Sequence, residues 1–171
     1  MKLISDLTYK VAAFSEIPNF KSDECVDWAI EMLELGFESE SLLILCGLSK
    51  PTNYFETIEY LKEAFEELNL TFKTGEDGII SYSNYLIKNI ASNKNVKANL
   101  KLIQQLCIDK DYEKVIYDFY LLHWAWEDYD YGNEFQEYWT EATPETIEQI
   151  VIDRAKKWIE ENENNYAQHG I

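Results

Sequence analysis

Apolar residues recur at intervals of three and four along most of this 171-residue chain. The clearest stripe follows Asn53 and consists of Tyr54, Ile58, Leu61, Phe65 and Leu68. That spacing places side chains on one face of an α-helix, whereas a half-buried strand would alternate apolar and polar residues. Asn53 and Glu56 add a start resembling a capping box. The pattern predicts an amphipathic helix here and an all-α protein overall.

Turn-forming residues divide the first half of the chain into further helices. A helix capped by Ser22 is expected to end at Gly36 in the left-handed conformation, and a brief helix follows over Leu42–Leu48. The segment near residues 70–82 contains two glycines. It predicts a loop followed by a helix, and a minor β-hairpin is the alternative.

The second half continues the same alternation of stripes and breaks. A helix opening at Asp109 or Asp111 is predicted to run to Trp126 or Tyr129, with Tyr112 among its inward residues. Gly132, followed by an asparagine, interrupts that stripe because both residues tolerate the left-handed conformation.

The last predicted helix begins at Thr143-Pro144, a capping residue with proline at the first helical position, and runs to about Glu161. Together the stripes predict about seven helices in an irregular stack of antiparallel helical hairpins. The expected organisation is one compact helical domain, residues 1–161, with a polar C-terminal tail over residues 162–171.

Composition excludes several classes of function. A net charge of −17 repels nucleic acid and anionic membranes, while a hydrophobic fraction of 46% and 15% aromatic residues argue against disorder. No apolar run approaches the length of a membrane span, so we expect a soluble cytoplasmic protein. Cys25, Cys46 and Cys107 form no CxxC motif and are expected to be reduced core residues. No glycine-rich phosphate loop or nucleophile motif is present, and the sequence predicts no cofactor and no catalytic residue.

The charge is concentrated in one segment. Between Lys114 and Arg154 there is no Lys or Arg, and acidic residues there alternate with many aromatic ones. Conversely, no acidic residue lies between Gly78 and Cys107, where the charged residues are Lys88, Lys94, Lys97 and Lys101. Exposed carboxylates beside Tyr and Trp side chains are typical of a surface that binds a basic protein.

We therefore predict an acidic protein-binding module that neutralises a basic partner by occlusion, and no enzyme. The expected behaviour is that of the small acidic immunity proteins that block a bacterial toxin or nuclease, a likeness of charge and aromatic content only. The predicted partner-binding residues are Glu127, Asp128, Tyr129, Asp130, Tyr131, Glu134, Glu137, Tyr138 and Glu141.

Four alternatives remain open. The acidic helices could mimic DNA, although one row with Glu134, Glu137 and Glu141 at helical spacing carries fewer charges than a duplex. His123 and Glu127, at i and i+4, could begin the metal site of a hydrolase. The helical hairpins could form an adaptor. Finally, many of the aromatic residues could be core, and the four lysines could neutralise the acidic segment internally.

Overall fold

A computed structural model describes the backbone of residues 3–167 and the side chains of residues 3–162. This part of the chain contains eight α-helices and no strand, which confirms the predicted all-α class. None of its helices combines the length and the apolar content that a bilayer span requires. The helices are α1 (Leu7–Val11), α2 (Asp23–Glu34), α3 (Glu40–Gly47), α4 (Tyr54–Glu67), α5 (Gly75–Ala91), α6 (Val96–Asp109), α7 (Tyr117–Asp130) and α8 (Ile147–Ala167). Two 3₁₀ turns cover Phe14–Glu16 and Lys114–Ile116.

The chain divides into two compact units, with the boundary between Tyr82 and Ser83 inside α5. In the first unit, α2 contacts α1, α3 and α4. Its centre is Trp28, which is fully buried. The indole N–H of Trp28 donates a hydrogen bond to Thr8 Oγ1 at 2.9 Å, and its ring centroid lies 5.2 Å from that of Phe65. Phe65 of the predicted α4 stripe therefore packs in the core against α2, whereas Tyr54, at the start of that stripe, is 42% exposed.

Two predicted helix ends of the first unit, at Gly36 and Asn53, are confirmed by their hydrogen bonds, whereas Ser22 precedes α2 without the predicted side-chain capping bond. Gly36 has φ +81°, and its N–H donates to Leu33 O at 2.9 Å, which closes the end of α2. The side chain of Asn53 accepts a hydrogen bond from Glu56 N at 3.2 Å at the start of α4. Glycine and asparagine thus mark real boundaries here.

The β-hairpin alternative near residues 70–82 is not formed, because α5 already begins at Gly75. Before that helix, Lys73 N donates to Ala12 O at 2.8 Å, which holds the preceding loop against the N-terminal segment. Gly78 then passes so close to this loop that a Cβ atom would lie 2.7 Å from Lys73 O. The glycine permits a close backbone approach and does not mark a hairpin turn.

In the second unit, α6, α7 and α8 contact one another. Phe119 of α7 and Trp158 of α8 are buried in its core. The indole N–H of Trp158 donates to Val115 O at 2.8 Å, which ties α8 to the turn before α7. At the surface, Arg154 Nε lies 2.7 Å from Asp118 Oδ2 and links the same two helices.

The boundary between α6 and α7 differs from the prediction. No helix opens at Asp109 or Asp111; instead α6 continues through Asp109, and α7 begins at Tyr117. Asp111 and Tyr112 both adopt positive φ, at +55° and +61°. This left-handed turn directs the chain away from the helix axis, so Tyr112 is 49% exposed and does not face inward as predicted.

The last helix begins near the predicted position and continues further. Ile147 N donates to Thr143 O at 3.0 Å, but residues 144–146 form a turn and α8 begins only at Ile147, so Thr143 is not its cap and Pro144 is not its first residue. The predicted end at Glu161 is too early, because the backbone stays helical to Ala167. Residues 168–171 of the predicted tail lie outside the described residues.

Candidate protein-binding surface

Residues 131–146 connect α7 to α8 and contain much of the predicted site. The loop starts where α7 ends at Gly132, which has φ +88°. Gly132 N donates to Tyr129 O and Asn133 N to Asp128 O, both at 3.0 Å, and this bond pair is a Schellman motif. The chain leaves the helix axis here, so the helical spacing expected for the glutamates beyond Gly132 is wrong.

The loop has a defined internal structure. The hydroxyl of Tyr129 donates to Ala142 O at 2.7 Å and accepts a hydrogen bond from Gln136 Nε2 at 3.1 Å. Trp139 N donates to Gln136 Oε1 at 2.7 Å. Ala142, near the end of the loop, is buried. Because the Tyr129 hydroxyl is engaged inside the loop, we assign that residue to positioning the loop.

Three aromatic side chains of the loop face solvent. Phe135 is 84% exposed, Tyr131 is 79% exposed and Tyr138 is 43% exposed. Burying one such ring contributes about 1.5–3 kcal/mol to folding. Three exposed rings on one loop therefore leave the folded chain less stable than it would be if they were buried. Exposed aromatic groups of this kind are typical of interaction sites. The sequence pattern selected Tyr131 and Tyr138 but did not distinguish Phe135 from a core residue.

The carboxylates of the predicted site divide into two groups. Glu134, Glu137 and Glu141 lie on the loop, are exposed, and form no ion pair with any described side chain. Glu127, Asp128 and Asp130 lie in the last turn of α7, and Asp130 pairs with Lys97. The loop carboxylates therefore keep their negative potential directed at solvent, while one helix carboxylate is compensated.

The Lys97–Asp130 ion pair neutralises one carboxylate of the acidic segment. The loop carboxylates are not neutralised in this way by a described side chain. Lys97 is the member of the lysine-rich stretch that pairs with the acidic segment, and its Nζ also lies 5.3 Å from the centroid of the Trp126 ring. Lys94 and Lys101 form no ion pair with a described side chain. Within residues 3–162, no lysine forms an ion pair with Glu134, Glu137 or Glu141.

Three tyrosines form a row at the start of α7 and in the turn before it. The Tyr117 and Tyr120 rings stack with centroids 5.4 Å apart, and Tyr112 meets Tyr120 edge-on at the same distance. Desolvation raises the pKa of the Tyr120 hydroxyl, and Tyr112 and the loop residue Tyr138 raise this pKa further. The prediction missed Tyr117 and Tyr120, although the i, i+3 spacing of two tyrosines at the start of an acidic helix is a signal that could have found them.

The metal-site candidate of His123 and Glu127 has no third ligand among the described residues. Among the described residues, no group of three or more His, Cys, Asp and Glu side chains could hold a metal ion. His123 is buried, and its ring meets Trp124 edge-on with centroids 5.3 Å apart. The position of His123 is that of a core residue.

Burial makes His123 a source of pH-dependent stability. Desolvation lowers the pKa of His123, Lys101 and Lys97 lower it further, and Glu127 opposes them. The unfolded chain therefore takes up a proton at this residue at a higher pH than the folded chain does, beginning as the pH falls through about 6.5. We expect the free energy of unfolding to fall between pH 7.5 and 5.5, with a slope of at most about 1.4 kcal/mol per pH unit for one proton.

Urea unfolding at three pH values in this range measures that slope. His123→Gln removes the titrating ring and should flatten the slope, even if it lowers stability at every pH. An unchanged slope in His123→Gln would assign the pH dependence to other groups.

Two of the three cysteines lie in the core as predicted, and Cys46 does not. Cys25 and Cys107 are buried, Cys46 is partly buried, and all three are free. Burial raises the pKa of Cys25 to about 12 and that of Cys107 to about 11. Because the thiolate is the reactive form, neither buried thiol is suited to act as a nucleophile near neutral pH.

Comparisons of this chain with models of protein families, with curated proteins and with solved structures find no match.

Proposed function

We propose that this chain is an acidic binding module that neutralises a basic protein partner by occluding it, as immunity proteins do to toxins and nucleases. The observation that carries the proposal is the loop over residues 131–146, in which exposed aromatic rings alternate with carboxylates that lack ion-pair partners among the described side chains. A net charge of −17 adds a long-range field of the same sign. The proposed setting is the bacterial cytoplasm.

The two residue types have different roles in the proposed complex. Tyr131, Phe135 and Tyr138 supply large rigid contact areas, which is how most binding free energy is concentrated in protein interfaces. Glu134, Glu137 and Glu141 attract Lys and Arg side chains and accelerate association by about 10–10³-fold. Occlusion follows if those cationic side chains belong to the partner's own substrate-binding cleft.

The internal structure of the loop supports this proposal over a solvated connection. A loop held by the Tyr129, Gln136 and Ala142 hydrogen bonds presents its aromatic groups in fixed positions, which lowers the entropy lost on binding. DNA mimicry is less favoured, because the loop glutamates do not form the helical row of charges expected for it. The metal-dependent hydrolase lacks a third ligand among the described residues.

The proposal predicts salt-sensitive capture of a basic protein. The full chain, immobilised in lysate of its own cell at about 50 mM salt, should retain a protein of high isoelectric point, identified by mass spectrometry. Above about 0.5 M salt this protein should be released, because screening shortens the range of the attraction. Capture that survives high salt would favour a helical adaptor, and capture of neutral or acidic proteins only would contradict the proposed function.

A further inference from the structure

A shallow cleft of about 410 Å³ lies between the start of α6, the last turns of α7 and the first turn of α8. Its lining includes Asn95, Lys97, Trp126 and Glu148. Asn95 has a left-handed backbone with φ +45°, and Glu148 lies in the first turn of α8. The cleft therefore brings together an aromatic ring, a carboxylate and a lysine from three different helices or their ends.

The lysine occupies this cleft as a ligand would. Lys97 Nζ lies 5.3 Å from the centroid of the Trp126 ring, within the range of a cation–π interaction, and it also contacts the Asp130 carboxylate. A ring face with a carboxylate at its edge is the arrangement by which proteins bind alkylammonium and guanidinium groups. The Trp126 ring and the Asp130 carboxylate are thus satisfied by a cation from the chain itself.

The contact is open to exchange. The Lys97 side chain remains 46% exposed and that of Asp130 remains 43% exposed. Solvent-exposed ion pairs of this kind contribute little to stability, and a flexible lysine pays side-chain entropy to form them. A competing cation therefore does not have to disrupt the core to replace Lys97.

We propose that Trp126, Asp130 and Glu148 form a binding site for one lysine or arginine side chain, which Lys97 occupies in the free protein. This inference deepens the proposed function and rests on it, because the incoming side chain would come from the basic partner. Binding displaces Lys97 and leaves the partner's cation against Trp126. Self-occupancy raises the selectivity of the surface, since a weakly held cation must compete with Lys97.

The test uses a small cation in place of the partner, so that it is independent of the loop. Nα-acetyl-lysine methylamide carries one positive charge on a lysine side chain and is titrated into the full-length protein at low salt. The readout is the indole N–H signal of Trp126 in an NMR spectrum, assigned by its loss in Trp126→Phe. Lys97→Gln should bind the probe about three- to tenfold more tightly than the unmodified protein, because the internal competitor is gone.

Two variants, Lys101→Gln and Lys97→Arg, act as controls. Lys101→Gln makes the same change in net charge one helical turn further along α6, and it should alter the affinity less than about twofold. Lys97→Arg keeps a cation that can stack on Trp126, and it should retain the weaker affinity of the unmodified protein.

Several results would overturn the inference. Equal gains in Lys97→Gln and Lys101→Gln would assign the effect to net charge, and no shift of the Trp126 signal in Lys97→Gln would show that no cation site exists. The outcome is separate from that of the capture experiment, because the small probe does not require a partner or the loop aromatic residues. If the probe binds but no basic protein is captured, the cation site is supported and the proposed function is contradicted.

Discussion

Reversing two charges in the loop, by Glu134→Lys with Glu137→Lys, should weaken capture of the basic partner at least about 100-fold. Like charges brought together in an interface cost several kcal/mol, and each 1.4 kcal/mol changes the dissociation constant tenfold. Both side chains are exposed and form no ion pair with a described residue, so their replacement disturbs no native contact of that kind. The thermal midpoint should therefore change little. Biolayer interferometry with the captured protein, together with thermal unfolding, measures the two quantities.

The first unit offers a matched control for this experiment. Glu59 and Glu66 of α4 are exposed and form no ion pair with a described side chain, and their replacement by lysine makes the same change in net charge. If the loop forms the interface, the α4 variant should lose only the salt-sensitive long-range part, less than about tenfold. Equal losses in both variants would show that the partner reads net charge alone and that the loop has no special role.

Several helix boundaries were predictable because nearby residues determine them. Gly36 ends α2 through a left-handed residue, and Asn53 begins α4 through a side-chain hydrogen bond to Glu56 N. Each of these signals acts within one turn of the helix and needs no knowledge of the remaining fold. Gly132 acts in the same way, and it correctly marks the point at which α7 gives way to the loop.

The structure of the loop was not predictable for the opposite reason. Its key hydrogen bond joins the hydroxyl of Tyr129 to the carbonyl of Ala142, and no pattern of residue types specifies that pair. The exposure of Phe135 is a consequence of this arrangement, because periodicity assigns a face only to residues in a helix or strand. An acidic and aromatic composition could identify the segment. It could not distinguish the aromatic side chains that face solvent from those that form hydrogen bonds inside the loop.

Tyr112 has the apolar spacing of the predicted helix, but its side chain does not face inward as that spacing predicts. It precedes the apolar residues of α7 at a spacing that suits a helix, but its φ is +61° and the helix begins only at Tyr117. A left-handed turn is uncommon for a bulky side chain, so propensity alone favours the helical interpretation. The neighbouring Asp111, also left-handed, is the residue type that more often marks such a turn.

The largest loss of stability in the second unit is expected from Trp158→Ala. Trp158 is 1% exposed, and its indole N–H donates to Val115 O at 2.8 Å. Truncating a buried tryptophan leaves a cavity and removes a hydrogen bond, and such changes cost about 3–5 kcal/mol. Because domains are stable by only about 5–15 kcal/mol, a large fraction of the protein should then be unfolded well below the normal midpoint. Urea unfolding followed by far-UV circular dichroism measures this without depending on tryptophan fluorescence.

Two further variants separate the causes of this loss. Trp158→Phe keeps most of the buried ring but leaves the Val115 carbonyl without this donor, which should cost about 1–3 kcal/mol. Lys157→Ala changes the adjacent residue, whose side chain is 68% exposed, and should stay within about 0.5 kcal/mol. Since Trp158 lies in the core and the loop glutamates lie at the surface, Trp158→Phe should bind the captured partner with nearly normal affinity while the charge-reversal variant should not. If Trp158→Phe lost partner binding at a temperature where it remains folded, binding would depend on the core of the second unit, and the division between a stabilising core and a recognising loop would be wrong.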